Sequence, residues 1–435
     1  VSPLSTPSRR SFLSAAGAVV FSGLSGCLGQ QKYDSEALEA VLEDPVPFVP
    51  PGRLPPSGYL GRARDTAERS ALSLSDRLSS LPDGVSPDSL PVERASNHVK
   101  GGRASLAEST QQQSTDAMRS IREARSTLAE GHGWLDTAVG KFETDALWEQ
   151  DLDLGRVLAR SWPAVEYRAT TIPVGIYVAG ETETLLLEAT SSLESVDRAL
   201  VGTDSADDEA ERYRLFAAAR GELSHARAAL ADANAVIDGQ REQVFEGTPS
   251  LREPMAGAAA TLLERAETDI ESVTPVPENH PRVVHEVLDE LSVRPPRDVR
   301  DALDANRPAT ALSNLRWRVQ RLTARDSVGV DSLSVPESNE ALVSSRRAAI
   351  DALRQARSNV SGPVEQTCVR QAQFEALRGD RDLENVANEV GRSERRATEF
   401  ATRGYAHYVA AKHLATAAKP TATRLVQAVE NELGR

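Results

Sequence analysis

The stretch DDEAERYRLFAAARGELSHARAALADANAVIDGQREQV, residues 207–244, decides the fold. Phe216, Leu223, Leu230, Ile237 and Val244 recur every seven residues, and Ala219, Ala226, Ala233 and Gln240 each stand three places later. A strand repeats its faces every second residue, so a 3–4 spacing sustained over about five heptads marks an α-helix with one buried stripe. A large residue on one seam and alanine on the other predict a partner helix near the short end of the usual range of about 8–10 Å. Asp204, Asp207, Asp208 and Glu209 gather at the start, where carboxylates complement the helix dipole.

Working outward, Leu186, Leu193 and Leu200 with Ala189 and Val196 repeat the rule. They predict an antiparallel hairpin turning at Gly202-Thr203-Asp204. Leu60, Ala67, Leu74 and Leu81, with Ala71 and Leu78 beside them, form another such helix, stopped by Pro82-Asp83-Gly84. Ala107, Ile121, Leu128, Leu135 and Phe142 share the seven-residue spacing, with Ala117, Ala124 and Ala138 between them; Gly131 and Gly133 are places for a bend or a break. Pro163 and Pro173 predict a kink or loop over 162–180. A Pro-rich interval, 275–296, holds one short helix near 282–291. Helices are expected again over 297–325, 338–360, 364–378 and 381–418, with a last one opening after Pro420.

The fold class is therefore all-α: long antiparallel helical hairpins with coiled-coil-like, alanine-rich seams. The expected divisions are 1–26, 27–57, 58–274 as an N-terminal bundle, 275–296 as a connection and 297–435 as a C-terminal bundle. Residues 117–128 align without gaps to 349–360, and the same offset pairs Phe142 with Phe374 and Arg160 with Arg392. An internal duplication would produce this match, and alanine- and arginine-rich heptads also align to each other without one.

Residues 8–27 carry the remaining signal. Arg9 and Arg10 precede a short apolar run, Phe12 to Leu24, diluted by Ser14, Gly17, Ser22 and Gly23. A membrane-spanning helix needs about 18 or more apolar residues, so the run reads as a signal segment. Arg9-Arg10-Ser11-Phe12-Leu13 resembles the twin-arginine export signal, and Leu24-Ser25-Gly26-Cys27 resembles a lipobox. These resemblances imply export by the twin-arginine machinery, removal of 1–26, and a lipid on Cys27 at the outer face of the cell membrane. Val1 is compatible with an alternative start codon or a fragment end. Pro45, Pro47, Pro50, Pro51, Pro55 and Pro56 then suggest an extended tether.

Five lysines stand against 45 arginines, and the chain carries a net charge of −14. Without the first 26 residues the balance is −16, since only Arg9 and Arg10 are lost. Such a charge disfavours nucleic acid and anionic lipid surfaces as partners. An acidic, lysine-poor surface suits a high-salt solvent that screens self-repulsion. With the export and lipobox patterns, the chain resembles lipoproteins of the halophilic archaeal type. Cys368, the second cysteine, shares a helical face with Val364 and reads as a small buried hydrophobe.

Little in the chain points to chemistry. His285-Glu286-Val287-Leu288-Asp289 approaches the His-Glu-x-x-His zinc helix, with Asp289 in place of the second histidine and no third-ligand pattern following. His407 and His413 lie six apart, on different helix faces. Trp134, Trp148 and Trp162 are spaced by fourteen, a core stripe more readily than a stacking platform. No nucleophile elbow, Walker loop, dinucleotide fingerprint or Cys-x-x-Cys occurs. We therefore expect a membrane-anchored lipoprotein with a non-catalytic scaffold or interaction role, using no cofactor and docking a helical protein partner. The alternative is a solute- or metal-binding lipoprotein with a cleft lined by the tryptophans, His280 and His285. A metal-dependent hydrolase using Glu286 as base comes third.

Overall fold

A computed structural model describes residues 33–49, 58–112, 115–273 and 280–434. Arg9, Arg10 and Cys27 lie outside the described residues, as do positions 27–32 and 50–57 of the expected tether. The described residues form α-helices, two 3₁₀ turns and no strands, so the chain is all-α. The helices are α1 (Ser35–Leu42), α2 (Tyr59–Ser79), α3 (Leu90–Gln111), α4 (Thr115–Ala138), α5 (Thr144–Ser161), α6 (Ile172–Ser205), α7 (Glu209–Gln243), α8 (Arg252–Ser272), α9 (Arg282–Glu290), α10 (Arg297–Asp304), α11 (Pro308–Asp326), α12 (Asn339–Ser358), α13 (Pro363–Glu389) and α14 (Glu394–Leu433). None is long and apolar enough to cross a membrane.

The deciding stretch is α7, and both of its seams are inside. Phe216, Leu223, Leu230 and Ile237 are buried, and Ala219, Ala226 and Ala233 have no exposed surface. The helix lies between α6 and α4, with α5 touching it as well. Asp208 caps it, its side chain accepting from the Ala210 N–H at 3.1 Å. The hairpin turn falls at 206–208, just beyond the expected Gly202, because α6 continues to Ser205.

Several expectations need correction. Helix α4 runs unbroken through Gly131 and Gly133. Those positions allow close approach: a Cβ on Gly133 would stand 2.7 Å from Ala217 Cα of α7. The loop between α5 and α6 ends at Thr171, so positions 172–180 of the expected kink or loop are helical and Pro173 sits in a first turn, where its missing N–H costs nothing. Helix α13 continues to Glu389, past the expected end at 378. Helix α14 passes through Pro420 without ending, because Ala417, Ala418, Thr421, Ala422 and Leu425 form one buried stripe across it. Phe142 lies between helices whereas Phe374 lies mid-α13, so the internal match does not extend to equivalent structure there.

Residues 33–49 also depart from an extended tether. They form α1 and a following strap that packs on α12 and α13, with Tyr33, Leu38, Val46 and Val49 buried. Arg346 of α12, 2% exposed, donates to the carbonyls of Val41 (2.9 Å) and Asp44 (2.6 Å) and to both oxygens of Asp380. The Tyr33 hydroxyl donates to the Pro336 carbonyl at 2.7 Å, and the Val49 N–H to Gln373.

The largest apolar core draws on α5–α8, α10 and α11, and includes Val364, Leu425 and Val429 from α13 and α14. It therefore spans the 275–296 connection, since α8 packs on α11 and α14. A second core gathers α9, α12, α13 and α14 around Tyr408 and Leu414.

Candidate functional site

Three constellations of polar side chains are candidates. The first lies between α2, α4, α6 and α7. Arg122 donates to Asp232 at 2.6 Å and Glu188 at 2.8 Å, and the Tyr59 hydroxyl donates to the second Asp232 oxygen at 2.5 Å. Burial works against charge on Arg122, and Asp232 and Glu188 more than offset it, so the guanidinium stays protonated. One buried arginine thus satisfies two carboxylates and ties three helices together. The Arg122 Nε is left buried without a partner, and the constellation acts as a fastening between helices.

The second joins Glu290 of α9, Glu375 of α13 and His407 of α14, whose ligand-type atoms lie within 4.8 Å of one another. His407 Nδ1 meets Glu375 at 3.2 Å and its Nε2 faces Asp382 at 3.6 Å. This is a plausible ligand set for a divalent ion. The cations already present argue for another reading. Arg321 pairs with Glu375 at 3.1 Å, Arg378 with Glu375 and Glu290 at 3.5 and 3.6 Å, and Arg403 with Asp382 at 3.4 Å. Three carboxylates face three arginines and an imidazole, so a further dication would add unbalanced charge and displace Arg321. Burial pulls the Glu290 carboxyl above its ordinary range; for Glu375 the His407 and Arg321 contacts overcome burial and hold it below. The cluster reads as a charge-matched clamp on α9, α13 and α14.

The third is a pocket of about 500 Å³ where the α5–α6 loop meets the starts of α8 and α11. Trp162, Tyr167, Leu187, Arg252, Asn306 and Arg307 are among its walls, and no carboxylate lines it. Arg252 stacks over Tyr167 at 5.1 Å and Arg307 over Trp162 at 5.8 Å. The Nε atoms of both arginines are buried with no hydrogen-bond partner. Tyr167 is fixed by its hydroxyl, which donates to the fully buried Glu183 at 2.5 Å. Glu183 in turn accepts from the Ala309 and Thr310 N–H groups that open α11. Its charge is spent on that helix end and is unavailable to either pocket arginine. Asn306 has φ 56°, the left-handed cap that ends α10, with the Arg307 N–H bonded back to the Ala302 carbonyl at 2.8 Å. That cap turns the chain so that Arg307 faces Trp162.

The residues singled out in the sequence scatter. Trp134 is core, Trp148 packs on the core, and Trp162 alone of the three lines this pocket. His285, Glu286 and Asp289 sit on α9, where Glu286 pairs with Arg282 at 3.0 Å; among the described residues they join no group of metal-ligand type. His280 and His285 are not among the residues lining the pocket. His413 faces Ser327 at 2.7 Å, and burial lowers its pKa. Cys368 is fully buried, as expected, with its thiol pushed up by burial. Sequence reasoning missed Arg252 and Arg307. The available signal was their position just before or at the start of apolar-periodic helices, where a cation is unusual.

Residues 252–427 match a family model described as a domain of unknown function (DUF8264). No curated protein and no solved structure matches the chain. The matched segment begins at Arg252 and includes Arg307, whereas Trp162 and Tyr167 precede it.

Proposed function

We propose that this chain is an extracytoplasmic lipoprotein, exported through Arg9-Arg10 and anchored by a lipid on Cys27, whose helical body serves a non-catalytic, interaction role. The observation that carries the reading is the docking of residues 33–49. Residues 33–49, which begin six positions after Cys27, are held against α12 and α13 by Arg346, so the expected anchor would lie close in sequence to a docked part of the body rather than at the end of a long free linker. The expected helical partner would have to dock somewhere other than α7, because both α7 seams are consumed inside. Mass spectrometry of the mature N-terminus tests the anchor: a diacylated Cys27 is expected, and an unmodified Cys27 overturns it. Cys27→Ser should abolish lipidation and lipoprotein-type processing.

A second reading, a solute-binding lipoprotein, is favoured by the Trp162–Arg307 pocket. Its size falls in the range of ordinary small-molecule sites, about 300–1,000 Å³, and its walls combine an apolar body with few polar groups.

A further inference from the structure

We infer that the pocket between the α5–α6 loop and the starts of α8 and α11 binds a small organic anion: a carboxylate or phosphoryl head held by Arg252 and Arg307, with an apolar, flat body against Trp162 and Leu187. This deepens the solute-binding reading and is independent of the lipid anchor.

The argument begins with where the two arginines stand. Arg252 is the first residue of α8 and Arg307 is the N-cap of α11. Helix N-termini carry partial positive charge and favour anions; a cation there is repelled. Neither α8 nor α11 has a side-chain cap from its own N-cap residue. The helix starts themselves are occupied, α11 by Glu183 and the first N–H of α8 by the Ser250 hydroxyl, so it is the two guanidinium groups that converge on one cavity with no carboxylate in its wall, in a chain of net charge −14.

The hydrogen-bonding inventory agrees. Arg252 spends one terminal N–H on the Asn306 carbonyl at 3.3 Å, and both guanidinium groups line the cavity wall, where their other terminal N–H groups can meet a ligand. Stacking on Tyr167 and Trp162 holds each guanidinium plane in place, so the donors are arranged before a ligand arrives. Guanidinium recognises planar carboxylate and phosphoryl oxygens through paired N–H bonds. The remaining wall, Trp162 with Leu187 and Pro163, offers apolar area for more than a bare ion.

The test is isothermal titration of the purified full chain in detergent with benzoate and phenyl phosphate, against benzamide and benzylamine as neutral and cationic isosteres. Benzoate or phenyl phosphate should bind, and benzamide should bind at least about tenfold more weakly, because a charge-assisted pair is lost. Trp162 should report the event, so a ligand-dependent fluorescence change should vanish in Trp162→Phe. Arg307→Gln should weaken binding by about tenfold or more while keeping or raising the melting temperature of the unliganded protein, since it removes a cation from a helix start. That opposite movement separates a binding role from a structural one. Equal binding of benzoate and benzamide, or no binding of either anion at millimolar concentration, would overturn the proposal. Each result is read on folded chain whether or not Cys27 carries lipid, so failure of the anchor reading leaves it untouched.

Discussion

The α6–α7 hairpin and the α13–α14 pair have the same outward plan, two long helices packed along their lengths, and are held together by different physics. Between α6 and α7 the contact is alanine against leucine, dry and periodic, with the Arg122–Asp232 fastening to one side. Between α13 and α14 the contact runs through buried polar groups. The Tyr408 hydroxyl donates to Asp380 at 2.8 Å, His407 lies on Glu375 and Asp382, and Gly379 lets the Tyr408 ring lie against the α13 backbone. A Cβ on Gly379 would stand 2.6 Å from Tyr408 Cε1. A dry seam tolerates volume changes poorly and charge changes at its margin well; a polar clamp reverses the order.

The largest effect should therefore come from removing a charge at the second pair. Arg346→Met leaves the partly buried Asp380 without its cation, a loss toward the lower end of the about 3–5 kcal/mol seen for a broken buried pair. It also releases the Val41 and Asp44 carbonyls, so hydrogen exchange should rise first over residues 33–49. Uniform exchange across the body, or an unchanged melting temperature, would mean that the clamp is decorative. Next comes the dry seam. Ala226→Leu with Ala233→Leu should cost about 1–3 kcal/mol per site, and the two should couple because adjacent layers share the same backbone displacement. Arg227→Glu, on an exposed flank, should stay within about 0.5 kcal/mol. Thermal unfolding of the single and double variants tests both the size and the coupling.

The smallest effect concerns Asp151 of α5. Burial and the neighbouring Asp197 push its carboxyl up to about 6 from an ordinary 3.8. Below pH 4 it is protonated in folded and unfolded chains alike. As pH rises through the window from 4 to 6 the unfolded chain gives up the proton first, so stability falls and stays reduced above it. Asp151→Asn should remove that slope and leave the variant more stable than the parent at pH 7, by about 1 kcal/mol after solvent screening. Melting curves at pH 4 and pH 7 should show the advantage only at the higher value.

The same contrast explains what could be read in advance. Helix α7 was legible because its partners take the heptad positions in turn, and a periodic seam leaves a periodic sequence. The extent of α13 was not, because Gly379 and Asp380 resemble a helix end when read locally. Their actual partners, Tyr408 and Arg346, stand 29 and 34 residues away. Helix α1 was hidden by the prolines after it, although Asp34 followed by Glu36 and Leu38 is a fair helix start, and Asp34 does accept from the Glu36 N–H. The pocket arginines needed Trp162 and Tyr167 from 85 or more positions earlier to become a site.

The docking of Tyr33 would constrain the posture of the protein if Cys27 is lipidated as proposed. Six residues lead from Cys27 to Tyr33, and a fully extended chain spans at most about 3.6 Å per residue, so a lipid at Cys27 would lie within about 20 Å of the buried tyrosine. A long leash would let the body tumble and present every side to solvent in turn. Under the proposed anchoring, so short a spacing would keep the surface carrying Tyr33, Pro336 and Asn339 near the headgroups and leave the far side of the body to meet whatever approaches from outside.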